Sequence, residues 1–93
     1  MTLEEILKSG NYSLFDVREP MELMMDGEIE AATNIPLGEV ESRQDEIFSS
    51  EKPVVLFCRS GNRSGKALEY LQAQGLENGY NGGGYSDLQA KLD

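Results

Sequence analysis

The sequence predicts an α/β domain in which a small, mainly parallel sheet is covered by helices on both faces, and three observations carry that reading. Strand-like runs alternate with helical stretches along the chain. The connections between successive strand-like runs are too long for hairpins, which is the requirement for crossovers between parallel strands. Val54-Val55-Leu56-Phe57-Cys58 is an unbroken apolar run without alternation, the pattern of a strand buried on both faces. At 93 residues the chain can bury only roughly 60–70% of the surface its unfolded form exposes, so residues 1–93 are read as one domain with one modest core.

Each element has its own signal. Thr2-Leu3-Glu4-Glu5 reads as a capping box, with Leu3, Ile6 and Leu7 on one face of a first helix that stops at Ser9-Gly10. Tyr12 to Arg18 is a short run of strand formers ending near Val17. Pro20 marks its exit and opens a helical turn through Glu22 and Met25. Ala32-Thr33-Asn34-Ile35 before Pro36 predicts a brief second strand, and Leu37 to Phe48 a polar helix with Val40 and Ile47 facing inward. Lys52 to Cys58 is the clearest strand and is placed at the centre of the sheet. Ser64 to Gln74, with Ala67, Leu68 and Leu71 at helical spacing and Gly75 as its stop, is the most secure helix. Glu77 to Asn81 predicts a weak last strand, Gly82-Gly83-Gly84 a turn, and Tyr85 to Leu92 a closing helix.

Composition removes several kinds of chemistry. Without histidine there is no Ser-His-Asp or Cys-His system, no His-ligated metal and no imidazole base. A single cysteine excludes an internal disulfide and a Cys-x-x-Cys pair. No window approaches the roughly 20 apolar residues that cross a bilayer, and Met1 to Lys8 is not a basic, apolar leader. A soluble cytoplasmic protein is therefore expected, although a mature periplasmic fragment given a start Met would read the same. The net charge of −9 disfavours nucleic acid and anionic membranes as partners. That charge is uneven: residues 1–50 hold 3 cations against 12 acids, whereas 51–93 hold 5 against 5, and 58–66 hold Arg59, Arg63 and Lys66 with no acid. A positive island beside the only cysteine suggests a small anion as ligand, against the plainer reading of a solvated loop.

Cys58 falls at the carboxyl end of the central strand, where open parallel sheets place their ligands. Cys58-Arg59-Ser60-Gly61-Asn62-Arg63-Ser64 is a strand-to-helix loop of small and polar residues, in which Gly61 and Asn62 tolerate unusual backbone angles. Its N–H groups can turn inward as an anion nest at the start of the next helix. A sulfur held there beside Arg59 and Arg63 is expected to favour thiolate and to be reachable from solvent. The spacing Gly61 to Gly65 and the Lys66-Ala67 pair do not make a Walker loop, and Gly82 to Gly84 do not make Gly-x-Gly-x-x-Gly. Asp16, Glu19 and Glu22 could form an acid/base or metal group, but Arg18 among them points to an ion-paired structural cluster.

These residues resemble the rhodanese domains, in particular the short single-domain sulfurtransferases. The resemblance lies in Asp16-Val17-Arg18-Glu19, Ala32-Thr33-Asn34-Ile35-Pro36-Leu37, the Cys58–Ser64 loop, and Asn81-Gly82-Gly83-Gly84 with Asp87-Leu88. It implies sulfurtransfer without a cofactor or metal. Cys58 would take the outer sulfur of a small anionic donor such as thiosulfate and pass it, as a persulfide, to cyanide, a thiol or a protein acceptor. Arg59, Ser60, Gly61, Asn62, Arg63 and Ser64 would bind the substrate, with Asp16, Arg18 and Glu19 as support behind them. The family topology implies the order last strand, 54–58, Leu14 strand, Asn34 strand. The family's usual first edge strand has no counterpart before Thr2, which gives about four strands where the family can have five. Glu28, Ala31 and Tyr85 depart from the family pattern and should alter packing near the sheet's edge without touching the nucleophile.

Two other functions compete with this one. A non-catalytic interaction module could keep the fold, though retention of Cys58 and both loop arginines argues against it. A phosphatase or arsenate reductase is the other reading: phosphatases on the fold that the resemblance implies have five residues between cysteine and arginine, whereas four separate Cys58 from Arg63. The shorter loop suits one sulfur better than a tetrahedral phosphate.

Overall fold

The computed structural model describes residues 1–92; Asp93, the last residue of the expected domain, lies outside them. In chain order the elements are α1 (Leu3–Ser9), β1 (Ser13–Asp16), α2 (Pro20–Asp26), β2 (Thr33–Asn34), a 3-10 turn (Leu37–Glu39), α3 (Gln44–Phe48), β3 (Val54–Cys58), α4 (Asn62–Ala73), β4 (Gly79–Gly84) and α5 (Tyr85–Leu92). The four strands are all parallel in the order β2-β1-β3-β4. That is the expected order, with β3 inside.

Strand alternation divides the core. Val54, Leu56 and Cys58 of β3 pack with Phe15, Ile35, Val40, Ile47, Ala67 and Leu71 beneath α3 and α4. Val55 and Phe57 face the other way, onto Ile6, Leu14 and Leu88 beneath α1 and α5. All five β3 residues are fully buried. At about 1.5–3 kcal/mol for each such side chain removed from water, this short strand is a main contributor to stability. The same alternation puts Cys58 on the α4 side of the sheet.

The Thr2–Glu5 capping box forms as expected, and Gly10 ends α1 in the left-handed conformation at φ 72°. In contrast to α1, α2 buries no residue. It starts on Pro20, Glu22 Oε2 accepts a 2.8 Å bond from Glu19 N–H, and Met21, Met24 and Met25 stand 69–86% exposed.

Two expectations are corrected. The continuous helix over Leu37 to Phe48 is instead a 3-10 turn, a turn through Glu41 to Arg43, and only five residues of α3. Val40 and Ile47 are buried as predicted, but the stretch has too few apolar positions and too many breakers, with Gly38 and Ser42 inside it, to sustain one helix. The glycines at 82–84, expected as a turn, belong to β4, which pairs with β3 to its end through Phe57↔Gly83 and Cys58↔Gly84. The ladder slips between Leu56 and Phe57, leaving Gly82 as the extra residue of a bulge. Side chains are excluded there for want of space: a Cβ on Gly82 would meet Val55 Cγ1 at 2.9 Å.

Candidate active site

Cys58 ends β3, and Gly61 reverses the chain into α4 at φ 95°, a left-handed conformation that disfavours a side chain. The reversal aims donors back at the sulfur. Gly61 N–H donates to Cys58 Sγ at 3.0 Å, Ser64 N–H at 3.4 Å, and Ser64 Oγ lies 3.5 Å away. Burial pushes the Cys58 thiol up, but hydrogen bonds from the Ser64 hydroxyl and from the N–H groups of Ser64, Ser60 and Gly61 outweigh it and bring the thiol below its ordinary value. Of the loop amides expected to point inward, those of Gly61 and Ser64 bond to the sulfur. No hydrogen bond from Arg59, Asn62 or Arg63 to the sulfur is found among the described residues.

The wall facing this loop comes from β4. Ser64 Oγ is 2.7 Å from Asn81 Oδ1, which also accepts from Gly83 N–H at 3.0 Å, while Asn81 Nδ2 donates to Gly61 O at 3.0 Å. One amide side chain therefore holds both residues whose N–H groups contact the sulfur. A Cβ on Gly61 would stand 3.1 Å from Gly83 Cα, and a Cβ on Gly84 2.6 Å from Arg59 O. Loop and strand touch backbone to backbone.

The cations sit differently from their appearance in the sequence. Arg63 is held by Glu22 of α2 through two bonds, Nη1–Oε2 at 2.7 Å and Nη2–Oε1 at 2.8 Å. The Arg63 guanidinium, with a share from the Glu19 N–H, holds the Glu22 carboxyl at about 2 against the cost of burial. Lys66 lines a shallow cleft on the α4 flank with Leu37, Val40, Glu41 and Tyr70. The positive island is thus dispersed: Arg59 is exposed and without an ion pair among the described residues, Arg63 is neutralised, and Lys66 looks elsewhere. A further correction concerns access. Cys58 is 0% exposed beneath the loop it begins, so the sulfur expected at the surface is enclosed behind a rim. Arg59, Ser60 and Asn62, all exposed, form that rim.

Asp16 and Arg18 are each 1% exposed and form a buried pair, with Arg18 Nη2 2.7 Å from Asp16 Oδ2 and Arg18 Nε 3.0 Å from both oxygens. Arg18 also donates to Gly27 O at 3.0 Å and stacks 4.3 Å over the Tyr85 ring. These contacts tie the end of β1 to the start of α5 and make no hydrogen bond with the sulfur loop. Glu19 is exposed at the start of α2, where its charge acts on Arg63. Glu22, considered only as one carboxylate of a cluster, proves to be the partner of the loop arginine; nothing in spacing 41 residues apart could have paired them. The link from Asn81 to Ser64 is likewise invisible without the fold.

The family model described as "Rhodanese-like domain" matches residues 2–91. Among curated relatives, YqhL of Bacillus subtilis, a protein of uncharacterized activity, is 39% identical over 92 residues, spanning 96% of this chain and 71% of its own length. The thiosulfate sulfurtransferase PspE of Escherichia coli is 34% identical over 74 residues, 78% of this chain and 70% of that protein. The solved structure of the human single-domain sulfurtransferase TSTD1 superposes with a TM-score of 0.71 at 30% identity, covering 100% of this chain and 96% of that one.

Proposed function

The chain belongs to the rhodanese-like domain family, and from that premise we propose that it is a sulfurtransferase whose nucleophile is Cys58. The convergence of the Gly61 and Ser64 backbone N–H groups on Cys58 Sγ, with a thiol lowered despite burial, is the observation that supports this most strongly. Such donors are fixed before the reaction begins and act on charge at sulfur in a site shielded from water. No separate base is needed to generate the thiolate.

With thiosulfate, the Cys58 thiolate forms a bond to the outer sulfur, the bond between that sulfur and the sulfonate sulfur breaks, and sulfite leaves with the electron pair. The persulfide so formed ends in a negative sulfur that the same N–H groups of Gly61 and Ser64 hold. Attack on that terminal sulfur by cyanide or a thiolate, from a small molecule or a protein, returns the Cys58 thiolate. Arg59 and Asn62 on the rim meet the donor's leaving group, Arg63 shapes the loop's end through Glu22, and Asp16, Arg18 and Glu19 hold the strand end and α2 behind it.

Brief incubation with thiosulfate should raise the intact mass by one sulfur atom, and Cys58→Ser should abolish the gain. An unchanged wild-type mass with thiosulfate and with an organic persulfide would instead favour a binding module on the same fold.

A further inference from the structure

The sulfur loop reads in sequence as a cluster of cations, and the fold cancels most of it. The residue that does so, Glu22, comes from a helix that buries nothing and whose one firm connection to the loop is the Arg63 pair. Both partners are largely shielded, at 32% and 23% exposure, so the cancellation is not an incidental surface contact. Around this pair stand Arg18, which Asp16 already holds, and Glu19, whose charge acts on Arg63, while Arg59 lies exposed in the loop. The approach to Cys58 is therefore close to neutral and is set in a chain of net charge −9.

We infer that Glu22 is a specificity-determining charge screen, which disfavours dianionic donors and selects sulfane-sulfur donors with at most one negative charge, the organic persulfides. The inference rests on the sulfurtransfer reading above and names its substrate class. Thiosulfate must bring two negative charges against a thiolate, with one arginine already neutralised. An alkyl persulfide, R–S–SH, brings none or one. In that reaction the Cys58 thiolate bonds to the outer sulfur, the S–S bond of the persulfide breaks, RS⁻ leaves with the electron pair, and the proton stays on the transferred sulfur.

The test compares the alkylation of Cys58 by iodoacetate and by iodoacetamide. Both react with the same thiolate and differ by one negative charge, so their rate ratio cancels changes in thiol ionisation. Glu22→Gln retains an oxygen that can accept from Glu19 N–H and should raise the iodoacetate/iodoacetamide ratio about two- to fourfold, the effect of removing one nearby charge at water-like permittivity. Arg63→Gln should lower the ratio by a similar factor, and the double variant should return to the wild-type value. In sulfur loading, Glu22→Gln should raise kcat/KM for thiosulfate relative to a neutral alkyl persulfide. Equal reagent ratios in wild type and both single variants would overturn the screen even if thiosulfate is consumed. Failure of wild-type Cys58 to load sulfur from any donor would overturn the sulfurtransfer reading, while the alkylation ratio still decides whether the screen exists.

Discussion

Gly84→Ala is the substitution that tests most directly how the sulfur site is held. The new Cβ would sit 2.6 Å from Arg59 O, 3.4 Å from Arg59 C and 3.6 Å from Ser60 Cα, all backbone atoms that cannot rotate away. Restoring an ordinary contact of 3.4 Å from 2.6 Å requires β4 and the loop to part by about 0.8 Å. Overpacking of this kind costs about 1–3 kcal/mol, or a fall of about 5–20 °C in Tm for a domain of this size. The displaced residues lead directly into Gly61, whose N–H stands 3.0 Å from the sulfur. Losing one hydrogen bond to a charged group costs about 1.5–3 kcal/mol, so the thiol midpoint should rise by about one unit. Calorimetry and the pH profile of iodoacetamide alkylation read the two effects separately. Gly83→Ala is the control: φ is +85° there but no atom lies within 4 Å of the added Cβ, so it should cost only backbone strain of about 1–2 kcal/mol and leave the midpoint nearly in place. A Gly84→Ala protein with wild-type Tm and wild-type midpoint would refute the idea that β4 shapes the loop.

Ser64→Ala should raise the Cys58 midpoint by about half a unit. The single hydroxyl hydrogen points to Asn81 Oδ1 at 2.7 Å when sulfur is a neutral thiol and becomes available to the thiolate at 3.5 Å, so an unchanged alkylation profile would mean it never leaves Asn81. Glu22 is held at about 2, below its ordinary carboxyl value, so its contribution to stability is fully present above about pH 4.5 and is lost as pH falls toward 2. Between those limits wild type should lose about 1–2 kcal/mol more than Glu22→Gln, after allowance for partial solvent screening of the pair; parallel melting curves against pH would contradict this. Asp16→Asn strips Arg18 of its counter-ion at 1% exposure and should cost about 3–5 kcal/mol in urea unfolding, a large share of a small domain's stability. A loss below about 1 kcal/mol would show that Gly27 O and the Tyr85 ring suffice for the guanidinium.

What the sequence revealed and what it hid follow a physical boundary. Val54 to Cys58 was legible because a strand buried on both faces has no alternative to a continuous apolar run. The Thr2–Glu5 box and Gly75 were legible because helix ends are satisfied by neighbours in sequence. The loop from Cys58 to Ser64 was legible for the same reason, since its amides bond back across three and six residues. The last strand was legible up to Asn81, but its continuation through Gly82 to Gly84 was not, because a glycine run has no strand propensity of its own and exists where Val55, Leu88 and the Arg59 carbonyl leave no room for side chains. The long helix expected over 37–48 failed where local periodicity was weak and tertiary packing of Val40 and Ile47 could be met by turns. Glu22 and Arg63 look like independent charges in the sequence, and only the crossover geometry brings them together.

Because Asn81, Gly83 and Gly84 wall in a loop made some twenty residues earlier, the nucleophile is not finished when its own segment is made. Without β4 in place, Gly61 and Ser64 lack the Asn81 side chain that tethers them. Docking of β4 fastens both donors through Asn81, so reactivity at sulfur doubles as a report on whether the sheet has been assembled.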